Sequence, residues 1–172
     1  MPTTVFGLPT HVLIIHLTVV GLPVACLATI AVAFRTKWRQ KYGLLVAIFD
    51  VIMVGVTYAT QLAGERLYSA APYLDEIAAQ HRKLGETLVY FVAAVAVLMI
   101  LLVVADRAGY AERHVVMVTV SALAIAASAI CLVRVVQVGD SGARAAWGGI
   151  KLSGAISTAH SVLPAVAALI RH

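Results

Sequence analysis

Long apolar runs separated by short polar stretches set the pattern of this chain. Apolar positions dominate residues 8–34, 43–63, 81–105 and 114–138. A helix needs about 20 such residues to cross a hydrocarbon core about 30 Å thick, where lipid offers no partner to an unbonded backbone group. The pattern predicts four transmembrane helices packed as an all-α, integral membrane four-helix bundle, with residues 1–172 forming a single membrane domain. Residues 35–41 read as a short basic loop and residues 106–113 as a short polar one. Residues 64–80 are polar and mixed in charge, with a short surface helix expected over 73–80 behind Pro72. From residue 139 the chain reads as an extramembrane tail, because Gly139, Asp140, Ser141 and Gly142 carry turn chemistry. Residues 161–170 are apolar but too short to span, and are expected as a helix on the bundle's face or in the interface.

Composition removes the soluble alternatives. The chain is 62% hydrophobic and 12% charged, against about 45–50% and about 25% in an ordinary soluble domain. The net charge of +5 lies mostly beside the apolar spans, with no basic run interleaved with aromatics, so the expected partner is the lipid bilayer and not nucleic acid. Residues 1–8 lack a basic leader and the first span is too long for a signal sequence, so no cleavable signal is expected. Arg35, Lys37, Arg39 and Lys41 stand together without an acid. That excess places the first loop in the cytoplasm and both termini outside. Cys26 falls in the inner half of its span and Cys131 in the outer half of another, so a disulfide is not expected and each reads as a small buried hydrophobe.

Topology gathers the candidate chemistry. Helices one and three start on one membrane face, and helices two and four end there, so His11, His16, Gln61, Glu65, His81, Arg134, Gln137 and Asp140 collect at one end of the bundle. An imidazole in or near a bilayer is costly and commonly serves as a ligand, a proton relay or an anchor. His16, one to two turns below the membrane edge, is the leading candidate. His11 lies about 140° around the helix and about 7.5 Å along it from His16, so the two cannot serve one metal from a straight helix. His81 opens span three.

A b-type haem needs two imidazoles from facing helices and cations near its propionates. His16 and His81 are the expected ligand pair, with His11 at the rim and Arg134, Arg82 or Lys83 near the propionates. Covalent haem is excluded because no C-x-x-C-H occurs. A zinc or copper site built on His16 and His81 requires a third ligand, for which His11 and His160 are available. The bland alternative is that the histidines only hold helices together. Arg134 is read as snorkelling to the interface or pairing with Glu65 or Asp140. Asp50, roughly 10 Å inside the opposite face, is read as a neutral carboxylic acid donating a hydrogen bond, with a proton relay as the alternative. No Walker motif occurs, and neither Ser141 nor Ser153 has a G-x-S-x-G setting, so nothing points to a catalyst.

The start of span one, from Pro9 through His11 to His16, resembles the H-P-x-x-V-H-F-P signature of domain-of-unknown-function family 2231, a bacterial four-helix membrane family. The histidine spacing matches, whereas Val12, Leu17 and Thr18 stand where the family has proline, phenylalanine and proline. Ala63 and Gly64, followed by a polar stretch and His81, resemble its second landmark. Residues 139–148, ending at Trp147 and Gly148, resemble its glycine-rich closing motif without the histidine that motif often carries. The resemblance covers about residues 7–149. The family has no established activity. Its occurrence fused to Rieske-type or cytochrome domains implies membrane electron transfer. The expectation is a haem-b-binding, electron-transfer-related membrane protein. A cofactor-free accessory subunit of a larger complex, with other membrane or redox proteins as partners, is the alternative. Metal or proton handling is the weaker one, since no inverted repeat marks a carrier.

Overall fold

The computed structural model describes residues 4–5, 8–70, 76–109 and 114–147, with side chains over 14–69, 78–109 and 115–146. Two short strands, β1 (Thr4–Val5) and β2 (Leu8–Pro9), pair antiparallel ahead of the helices. The helices are α1 (Thr10–Phe34), α2 (Thr36–Ala70), α3 (Glu76–Arg107) and α4 (His114–Trp147). All four are long and apolar enough to cross a membrane. Consecutive helices pack side by side, α4 closes against α1, and α1 meets α3 mainly across the diagonal. The all-α four-helix bundle expected from the apolar runs is thus the fold.

The helices outrun the apolar spans. At 1.5 Å per residue, α2, α3 and α4, with 35, 32 and 34 residues, exceed the hydrocarbon thickness and carry their polar ends beyond it. The basic stretch 35–41 is therefore not a loop. Only Arg35 interrupts the helices, and its carbonyl accepts bonds from the amides of Trp38 and Arg39, both at 2.9 Å. Lys, Arg and Gln are good helix formers, so polarity here signals water rather than a break. For the same reason α2 continues to Ala70, and α3 starts at Glu76, replacing the surface helix expected over 73–80. The expected turn at Gly139–Gly142 is corrected too, because those residues are α-helical inside α4. A real turn follows α3 at residues 108–109, where Gly109 takes a φ of 79° that favours glycine. The expected helix at 161–170, and His160, lie outside the described residues.

Two apolar clusters fill the interior. One is built on Leu22, Cys26, Met53, Leu88, Val92 and Cys131. The other is built on Val32, Val46, Met99, Leu102, Val103 and Met117. Val20, Leu45, Tyr90, Val97 and Val136 point outward, giving the bundle the apolar exterior that lipid requires. At the end beyond the second cluster, Arg39 and Asp106 form a buried ion pair.

Candidate functional site

Antiparallel packing fixes the height of each polar residue. Thr18 meets Thr60 through a 2.7 Å hydroxyl–hydroxyl bond between α1 and α2. Cys26 on α1 and Cys131 on α4 interact within one buried cluster. Ser141 lies ten residues beyond Cys131 on α4, so it stands level with a position ten residues before Cys26 on α1, which is His16. His81 bonds Ser141, so His16 and His81 share one height at one end of the bundle, on diagonal helices.

Their directions differ. The buried stripe of α1 runs through Thr18, Leu22, Ala25, Thr29 and Val32. His16 precedes Thr18 by two residues, about 200° around the helix, and it is exposed on the outer side of α1. His16 therefore faces away from the interior of the bundle, and the side chain of His11 lies outside the described residues.

His81 is built into the interior. It lies on the stripe of Ala78, Leu88, Val92, Val95 and Met99 on α3, and is half-buried. Its Nδ1 is 3.1 Å from Oγ of Ser141, and that hydroxyl also donates to the carbonyl of Val138 at 2.9 Å. A hydroxyl has one hydrogen, so with the hydrogen on Val138 the oxygen accepts from Nδ1–H, which assigns the proton of a neutral ring to Nδ1. The ring packs on Gly142, where an added Cβ would stand 2.9 Å from Cε1 of His81. Only glycine leaves room for the imidazole at that approach. His81 also starts more than a turn inside α3, not at its first residue.

The other candidates disperse. Arg134 lies seven residues before Ser141, about 10 Å deeper, where it bonds Gln137 at 3.3 Å and sits 4.9 Å over the ring of Phe91. It lines a shallow open groove with Ala129, Ile130, Val133 and Gln137. The expected pairing of Arg134 with Glu65 or Asp140 is replaced: Asp140 pairs with Arg144 at 2.9 Å, and Glu65 accepts from Gln61 at 3.2 Å. Helical spacing explains both, since each pair is four residues apart on one helix face. Arg82 pairs with Glu86 at 2.8 Å and lies 5.2 Å over Tyr68, near the His81 end. Among the described residues, no three His, Cys, Asp or Glu side chains converge closely enough to hold a metal.

A second polar centre lies midway along the bundle. Asp50 is 1% exposed, and its Oδ2 accepts a 2.8 Å bond from Thr29. Its Oδ1 and the hydroxyl of buried Ser128 have no hydrogen-bond partner among the described residues. Cys26 and Cys131 share one buried cluster beside this centre, contrary to their expected separation into opposite halves. The reason is the true length of α4, which runs to Trp147 and so brings Cys131 to its middle. Both cysteines are free thiols.

The seat of His81 was legible only in part. Ser141 and Gly142 read as a turn by residue type, yet Ser128, Cys131, Val135, Val138 and Gly142 keep the three- and four-residue spacing of one helix face past residue 138. That periodicity was the available signal.

No curated protein and no solved structure matches the chain. A family model described as a predicted membrane protein (DUF2231) matches residues 7–150, which contain all four helices, both histidine landmarks and Gly142 under His81. The chain belongs to that family.

Proposed function

We propose that this membrane protein binds a b-type haem at the His81 end of the bundle and serves electron transfer. The observation that carries this reading is the seating of His81. Ser141 fixes the ring's rotation and assigns the proton to Nδ1, and Gly142 lets the ring lie against α4. A histidine ligand is oriented in this way when its second nitrogen faces a metal, because a bond at one ring nitrogen sets the basicity and direction of the other. Nε2 of His81 would be the nitrogen to hold the haem iron.

A second imidazole for the haem would come from α1. Seven residues before buried Thr18 is nearly two full turns, so by helical register His11 would serve better than the exposed His16. Arg82, next to His81 in sequence, would be the cation available to a propionate, since Arg134 lies deeper and is engaged with Phe91. The haem supplies the one-electron couple. The chain supplies the axial imidazoles, their orientation and an apolar setting, which are the levers that tune such a couple.

Purified protein from haem-sufficient cells is expected to show a Soret band that shifts on reduction. His81→Ala and His11→Ala are expected to lose it, while His16→Ala keeps it. Colourless, folded protein would overturn the reading. Its co-purification with a stoichiometric membrane partner would then favour the accessory-subunit alternative.

A further inference from the structure

The mid-bundle centre has no part in the haem reading, yet it is the most completely buried polar feature of the protein. Cys26 and Cys131 are 1% and 0% exposed. They are the two cysteines of the chain, 105 residues apart in sequence, and the fold brings them together in one buried cluster between α1 and α4. One turn along, in the antiparallel sense, Thr29 follows Cys26 and Ser128 precedes Cys131, so these hydroxyls stand level with one another beside the sulfurs. Asp50 reaches the same level from α2 through its bond to Thr29, and it lies close enough to both sulfurs to act on them electrostatically. Two buried oxygens, Oδ1 of Asp50 and Oγ of Ser128, remain without a partner among the described residues. Orphaned buried polar atoms cost free energy, and where they persist they mark a ligand or a function.

From this arrangement we infer that Cys26 and Cys131 form a two-sulfur binding site for a soft monovalent d10 metal ion, of which copper(I) is the biological example. Thiolate sulfur selects soft ions over hard ones. Coordination number selects the monovalent ion. One thiol S–H bond breaks, that sulfur bonds the metal, the second sulfur donates a lone pair, and the proton leaves the bundle for bulk water. The centre exchanges one positive charge for another, so its net charge inside the bundle is unchanged. Zinc(II) could keep the same balance by displacing both thiol protons, but it takes four ligands, and the two sulfurs supply only half of them. The apolar walls, Leu22, Met53, Val92 and Val95, exclude the water that would raise the coordination number. The free hydroxyl hydrogen of Ser128 is available to turn toward the metal-bound sulfur, the kind of outer contact that tunes a ligand.

The experiment is a titration of the reduced, detergent-solubilised full chain with copper(I), competed by a chromophoric copper(I) chelator. One copper(I) per chain is expected, with zinc(II) failing to compete. Cys26→Ser and Cys131→Ser are each expected to abolish binding, with Cys26→Ala and Cys131→Ala covering the case in which serine prevents folding. Ser128→Ala is expected to weaken binding on the order of 10-fold, in the range of outer-contact losses at metal sites. His81→Ala is expected to leave it unchanged, which separates this site from the haem. Chain with native helical content that leaves all copper(I) with the chelator would overturn the inference. Undiminished binding by the double cysteine variant would overturn it as well.

Discussion

Nε of Arg39 lies 3.0 Å from Oδ1 of Asp106, and the two side chains are only 6% and 7% exposed. The pair ties the start of α2 to the end of α3 at the end opposite His81. Arg39 also reaches Thr36 at 3.4 Å, so the guanidinium is held from two sides. Removing one member of a buried pair strands the other charge, which typically costs about 3–5 kcal/mol, whereas replacing both by apolar groups is far milder. Asp106→Asn is therefore expected to lower the midpoint of thermal unfolding in detergent strongly, and Arg39→Met with Asp106→Leu to recover most of the loss. Equal loss in the single and double variants would count against a stranded charge as the cause.

The seat of His81 makes a second prediction, read on the haem spectrum if the proposed site is loaded and on stability in any case. Gly142→Ala places a methyl group 2.9 Å from Cε1 of His81, too close for the ring to stay. Ser141→Ala only removes the bond to Nδ1, a loss of about 1 kcal/mol. Gly142→Ala is expected to abolish the Soret band, while Ser141→Ala keeps the band and shifts the reduction potential. Indifference of both spectrum and melting temperature to Gly142→Ala would show that the ring is not held against α4.

The bundle was legible because lipid leaves a spanning chain few choices, so four apolar runs are enough to specify four helices. Helix ends were harder. Arg35 to Lys41 and Gly139 to Gly142 have loop-like composition, but residues outside the hydrocarbon are free to continue a helix into water. The height of His81 followed from topology, since the antiparallel order fixes which ends meet. Its ring partners did not, because Ser141 and Gly142 are turn-type residues that point to a tail. The direction of His16 was likewise hidden, since a histidine one to two turns from the membrane edge reads the same whichever way it faces. Only the buried stripe through Thr18, Leu22 and Ala25 separates it from His11. The contact of Cys26 with Cys131 depended on the length of α4, so one misplaced helix end moved a whole site.

Thr18 and Thr60 test how α1 is held to α2 near the histidines. Each hydroxyl also bonds its own helix, Thr18 to the carbonyl of Ile14 at 3.5 Å and Thr60 to that of Val56 at 2.8 Å. Losing the link thus leaves neither hydroxyl stranded. A double-mutant cycle with Thr18→Val and Thr60→Val is expected to give a coupling of about 0.6 kcal/mol, the usual size of an interhelical bond in a membrane bundle. Additive effects would mean that the 2.7 Å contact contributes nothing of its own.

Asp50 poses the sharper energetic test, because its carboxyl already has one oxygen without a partner. Thr29 supplies the hydrogen bond to the other, at 2.8 Å. Thr29→Val keeps the shape of the side chain but removes that donor, leaving both carboxyl oxygens unpartnered in an interior where an unmet polar group costs about 1–3 kcal/mol. Asp50→Leu removes the carboxyl and leaves the buried Thr29 hydroxyl to turn back to a carbonyl of its own helix, at the expense of fitting a new shape among close-packed neighbours. The expected order of stability in mixed-micelle unfolding is therefore wild type above Asp50→Leu, with Thr29→Val lowest. The double variant Thr29→Val with Asp50→Leu should lie above Thr29→Val alone, because it removes the stranded carboxyl. If Thr29→Val matched wild type, the hydroxyl would not be what satisfies Asp50, and the polar centre would owe its stability to another contact.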